Sequence, residues 1–153
     1  MLTQTRAIDE DSRAVGNRSD ALDPGQLAKV IVLGVVFWFA AAMTVRFGSA
    51  AGFFGPSTSM IAFAVTIPVC WLSVLLIKKI ARLNVGQTLP GIVLGTVAAT
   101  CCDGIALTWG RGLYGSDSTL IIFGAAWILW GAGLFLLFAY LDDHRQSRAP
   151  RPR

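Results

Sequence analysis

Residues 101–115 read "CCDGIALTWGRGLYG", and Asp103 within them is the only acidic residue well inside a long apolar stretch. A bare carboxylate in hydrocarbon is costly, so it must pair, stay protonated or reach water. Pairing would make Asp103 a tie between helices. Protonation or hydration would make it a proton- or cation-binding group. Arg46, near the end of an earlier apolar run, is the expected partner. Arg111, folding back from just beyond Trp109, is the second candidate. The expectation is an intramembrane Asp103–Arg46 ion pair, with a coupling site as the alternative.

The other reactive side chains support less chemistry. Cys70, Cys101 and Cys102 form no C-x-x-C pair, so dithiol exchange is not indicated. Adjacent helical residues point about 100° apart, so Cys101 and Cys102 do not readily bridge each other. Buried apolar filling is the expected role of the thiols. His144 is the one histidine and lies in the tail, far from the cysteines, so neither a zinc site nor an axial haem ligand is expected. Pro68 interrupts an apolar run and should kink it. Thr66, Cys70 and Ser73 share a face around it. They are expected to repair the kink, with a polar seam as the alternative.

These residues sit in four apolar runs, each about 20 residues long and so able to cross a bilayer as a helix. The runs cover roughly 27–47, 59–80, 89–109 and 119–141. Composition agrees: 54% of the residues are hydrophobic and only 14% charged, where a soluble domain carries about 25% charged. Each run is too long and too evenly apolar for barrel strands. Helix-start signals precede the runs: Asp23, Pro24 and Gln26 as a capping box with proline, Asn84 or Thr88 with Pro90, and Asp117 or Ser118. The expected fold is all-α: four transmembrane helices in an up-down bundle with sequential helices as neighbours.

Of the 13 lysines and arginines, all but Arg46 and Arg111 fall on one side of this arrangement. The positive-inside rule then puts both termini in the cytoplasm. The organisation expected is a disordered flank over 1–22, the transmembrane domain over 23–142 and a basic tail over 143–153. The basic residues form no stripe interleaved with aromatics, so nucleic acid is not an expected partner.

Small residues should carry the helix packing, because apolar burial gives little drive inside lipid. Gly91, Gly95 and Ala99 recur at intervals of four, and Gly124 and Gly131 mark the last run. Such a face suits contact within the bundle or with a second copy. Trp109 and Tyr114 are expected as anchors at the headgroup level.

The stretch "DGIALTWGRGLYG" followed by "GAAWILWGAGL" resembles a family of small bacterial inner-membrane proteins of unknown function, predicted to have four helices. The resemblance covers the last third of the chain and touches Asp103, Gly104, Trp109, Leu113, Tyr114, Gly115 and Gly131. It implies a multi-pass place in the bacterial inner membrane and brings no activity with it. Small multidrug exporters are similar in size, but their acid lies in the first helix, where this chain has none. The quinone-linked thiol oxidases with four helices are disfavoured by the missing cysteine pair.

The expected function is therefore a non-enzymatic accessory or structural membrane protein, within a larger assembly. The alternative is a small ion- or proton-coupled transporter using Asp103. No cofactor is expected, and a lipid or pigment in a groove between helices is left open. The expected partners are membrane lipids and a second copy or larger membrane complex.

Overall fold

The computed structural model describes residues 21–55 and 58–148. Most of the flank expected to be disordered, and the last five residues of the tail, lie outside them. The described chain is an all-α four-helix bundle: α1 (Pro24–Ala50), α2 (Ser59–Ala81), α3 (Thr88–Trp109) and α4 (Ser118–Arg148), with a short 3₁₀ turn at Arg111–Leu113. Each of the four helices is long and apolar enough to cross a membrane.

The helix starts use three different devices. At α1 the capping box forms: Asp23 accepts from the Gln26 N–H at 2.8 Å, and Gln26 Oε1 accepts from the Asp23 N–H at 3.0 Å. At α4, Asp117 Oδ1 accepts from the N–H groups of Thr119 and Leu120. The start of α3 differs from expectation, since neither Asn84 nor Thr88 caps it. Asp143, on α4, accepts from the Leu89 N–H at 2.7 Å. A carboxylate supplied by a neighbouring helix thus meets one of the unpaired first-turn donors and the positive helix end.

Helix order also departs from the expected sequence of neighbours. α1 packs chiefly on α3 and α2 chiefly on α4, while α3 and α4 also meet; the α1–α2 and α2–α3 pairs touch little. Backbone approach decides the first pairing. A Cβ added at Gly34 would lie 2.2 Å from the Gly95 carbonyl oxygen, so only glycine admits this crossing. Gly91 sits against Val30 and Leu83. Indole groups decide the second pairing: Trp127 Nε1 donates to Thr66 Oγ1, and Trp130 Nε1 donates to the Phe63 carbonyl at 3.3 Å. Trp71 and Phe138 add an edge contact at 5.4 Å between centroids.

Two apolar cores form, one at each end of the bundle. Val30, Val74, Ile77, Ala81, Leu83, Ile92 and Ala139 fill the end that carries the termini. Ala42, Val45, Phe54 and Tyr114 fill the far end. Each far loop contributes one aromatic: Phe54 packs into the space left by Gly48, and Tyr114 is 1% exposed. Tyr114 is therefore not the interfacial anchor that its place after a span suggested, because the 3₁₀ turn directs it inward. Trp109, at 80% exposed, does stand outward. Gly124 lies against Val45.

A polar latch ties the termini end. Lys78 Nζ lies 2.7 Å from Asp142 Oδ2, which also accepts from Thr88 Oγ1 and Gln146 Nε2. Gln26 Nε2 donates to the Arg82 carbonyl and to Gln87 Oε1. These bonds explain why α4 continues to Arg148, past the boundary at 142 that the apolar pattern suggested. Asp142 and Asp143 are used on α2 and α3, and Arg145 and Arg148 suit the negative helix end.

Candidate functional site

Asp103 lies in the fifth turn of α3, half-buried, with its carboxylate held from two sides. Trp38 of α1 donates its Nε1–H to Asp103 Oδ1 at 3.0 Å and lies 3.1 Å from the Tyr114 hydroxyl. The Tyr114 hydroxyl donates to the same Oδ1 in a short hydrogen bond. Burial, and then this bond to Asp103, push the Tyr114 phenol above the usual tyrosine range. It therefore remains a donor at neutral pH. Asp103 Oδ2 accepts no hydrogen bond from any described residue.

The expected ion pair does not form. Arg46 is exposed and donates to the Gly112 carbonyl at 2.9 Å. Arg111 folds back as far as the Leu107 carbonyl at 3.0 Å and stops there. Both guanidinium groups satisfy orphan carbonyls at the far end, which lies closer to water than Asp103 does. Among the described residues the salt bridge is Lys78–Asp142, at the opposite end of the bundle.

Between the two apolar cores lies a cavity of about 510 Å³ lined by all four helices. Along α3 its wall runs from Gly91 to Leu107, a length of about 24 Å at 1.5 Å per residue. Asp103 lies toward the far end of that wall, with Trp38, and the cavity is not sealed: Ala40, Val69, Thr100 and Leu129 on its rim are exposed.

Thr66, Cys70 and Ser73 line this cavity. The expected repair of the Pro68 kink is corrected accordingly. Pro68 frees the Ala64 carbonyl, yet Thr66 donates to Ala62 at 2.7 Å and Cys70 Sγ approaches the Gly131 carbonyl at 3.8 Å. The three line the cavity as a polar seam, and an indole bonds the Phe63 carbonyl, next to the Ala64 carbonyl that Pro68 leaves free. Gly131 serves through that carbonyl more than through close packing, since an added Cβ would meet only Thr66 Cγ2, at 3.9 Å. Ala99 is a wall residue of the cavity.

Cys101 and Cys102 are exposed and half-buried respectively, and all three cysteines are free thiols. Among the described residues no three His, Cys, Asp or Glu side chains gather where they could hold a metal ion. Trp38, Trp127 and Gly34 were missed by sequence reasoning. Trp38 and Gly34 lie four residues apart, and with Val30 and Ala41 or Ala42 they follow a helical face, a signal present in the sequence.

The geometry can hold one carboxylate oxygen in a fixed place and leave the other available beside an apolar chamber. Comparison with known proteins adds no relative: no family model, no curated protein and no solved structure matches the chain.

Proposed function

We propose that this chain is a small multi-pass membrane carrier, not an enzyme, in which Asp103 is the ion- or proton-coupling carboxylate. The observation that carries the proposal is an Asp103 with no basic partner, one oxygen unbonded, in the wall of a partly open central cavity. A coupling group must be free to take up and release its ion, and a fixed ion pair would prevent that. The accessory reading would have been favoured by such a pair with Arg46, and Arg46 is used elsewhere.

Lipid as the surrounding solvent is supported by the outer surface. Val32, Val36, Ile61, Leu72, Val97, Ile122 and Leu137 are exposed along the four helices. The orientation proposed is N-in and C-in, in a bacterial inner membrane. Lys29, Lys78, Lys79, Arg82, Arg145 and Arg148 stand at the termini end, against Arg46 and Arg111 at the far end, as the positive-inside rule requires. In intact cells an impermeant thiol reagent should label Ser116→Cys, in a background without native cysteines. Labelling only after lysis would reverse the orientation.

Coupling is tested in proteoliposomes on a solid-supported membrane. Solutes are applied as a panel of organic cations, amines, amino acids and sugars. At least one class should evoke a current that depends on the pH gradient in wild-type protein and disappears in Asp103→Asn. Equal currents in both proteins, or none for any class, would remove Asp103 from a coupling role.

A further inference from the structure

We infer that the central cavity binds an amphipathic organic monocation, its apolar body among the walls and its positive end at Asp103. The inference deepens the carrier reading and takes its biological sense from it, but binding can be measured alone.

Size comes first. A volume of about 510 Å³ falls within the roughly 300–1,000 Å³ of small-molecule sites. It exceeds what a bare proton or metal ion needs. A metal ion would also want several oxygen ligands, and Asp103 is the only carboxylate in the wall.

Charge comes second. No lysine, arginine or histidine lines the cavity, so Asp103, when ionised, is its one source of formal charge. That charge lies among low-dielectric walls, where it repels anions and attracts cations strongly. Ring faces reinforce the preference. Phe37, Trp38, Trp127 and Phe135 line the cavity, and aromatic faces attract cations.

Hydrogen bonding comes third. Thr44, Thr66 and Thr100 donate their hydroxyls to carbonyls four residues back in their own helices. Trp127 spends its N–H on Thr66, and Trp38 spends its own on Asp103 and Tyr114. Ser73 and Thr96 keep the uncommitted hydroxyls of the wall, too few to satisfy the many polar groups of a sugar. The wall's strongest unmet capacity is the second oxygen of Asp103. A ligand with one positive centre and an otherwise apolar body satisfies that oxygen and leaves no polar group of its own unpaired.

The test uses two ions of nearly equal size and opposite charge, tetraphenylphosphonium and tetraphenylborate. Binding to the full chain in nanodiscs is followed by tryptophan fluorescence, with protein-free nanodiscs as the blank. The phosphonium should bind saturably, and the borate at least about tenfold more weakly, as expected for a desolvated charge contact. Asp103→Asn should weaken the phosphonium by at least about tenfold without lowering the melting midpoint, because the asparagine oxygen still accepts from Trp38 and Tyr114. Equal binding of the two ions would show a plain apolar chamber, such as one for a lipid chain, and overturn the inference. Retained phosphonium affinity in a folded Asp103→Asn protein would overturn it as well. The carrier reading fails separately: phosphonium binding without any proton-dependent current leaves the binding site and removes transport. Currents evoked only by neutral or anionic solutes, with no phosphonium binding, do the reverse.

Discussion

Gly34→Leu should destabilise the bundle by about 3 kcal/mol or more, at or beyond the upper end of the usual range for overpacked cores. The reason is the nature of the contact. A Cβ at Gly34 would sit 2.2 Å from the Gly95 carbonyl oxygen and 2.9 Å from the Gly95 Cα. Those are backbone atoms and cannot rotate aside, so α1 and α3 would have to separate. That separation would also pull Trp38 from Asp103, one helical turn further along α1. Gly133→Ala is the matched control, since a Cβ there meets nothing within 4 Å. It should leave stability unchanged or raise it by up to about 1 kcal/mol, the helix preference of alanine over glycine. Melting midpoints in one detergent decide the matter. Similar midpoints for Gly34→Leu and wild type would remove the glycine crossing from the account of helix pairing.

The second large effect is expected at the termini end. Lys78→Met leaves Asp142 with Thr88 and Gln146 but no counter-charge. Removing one partner of a buried pair typically costs about 3–5 kcal/mol. The two side chains retain 25% and 13% of their exposure, so solvent screening should bring the loss toward or below the low end of that range. The double change Lys78→Met with Asp142→Leu should recover part of the loss, because no lone charge remains. Recovery should be incomplete, since Thr88, 0% exposed, loses its acceptor. A double-mutant cycle reads this directly. Losses that simply add would mean that the two charges are not coupled.

Much of the architecture was legible because the signals are local. Four apolar runs of helical length stand out against a sparsely charged chain, and each became a helix. Asp23, Pro24 and Gln26 carry their capping box within four consecutive residues. Asp103 was legible as a site because a carboxylate among apolar residues demands an explanation.

Its partners were not legible, for a physical reason. A search for opposite charge leads to Arg46 and Arg111, whereas the carboxylate is satisfied by an indole and a phenol. Trp38 is 65 residues away, and Tyr114 reaches it only through the 3₁₀ turn at Arg111–Leu113. Read without that turn, a tyrosine after a span belongs at the headgroups. Helix order was hidden as well. Short loops suggest sequential neighbours, but the pairing follows from Gly34 meeting Gly95 and Trp127 meeting Thr66, contacts that no single segment contains. Asp142 looked like the end of the last span and Asp143 like the start of the basic tail, because their partners, Lys78 and the first turn of α3, lie more than 50 residues earlier.

Asp103 stands in the wall of a partly open cavity, with one oxygen held and the other free of hydrogen bonds from the described residues. Thiol accessibility at that position tests this arrangement most directly. Asp103→Cys, in a background with Cys70, Cys101 and Cys102 replaced by alanine, is treated in folded form with a small cationic methanethiosulfonate. Ala42→Cys, at a position 0% exposed in the far core, serves as the protected reference. The cysteine at position 103 should be modified while the one at position 42 is not. A position 103 thiol that stays as protected as position 42 until the protein is denatured would contradict that arrangement.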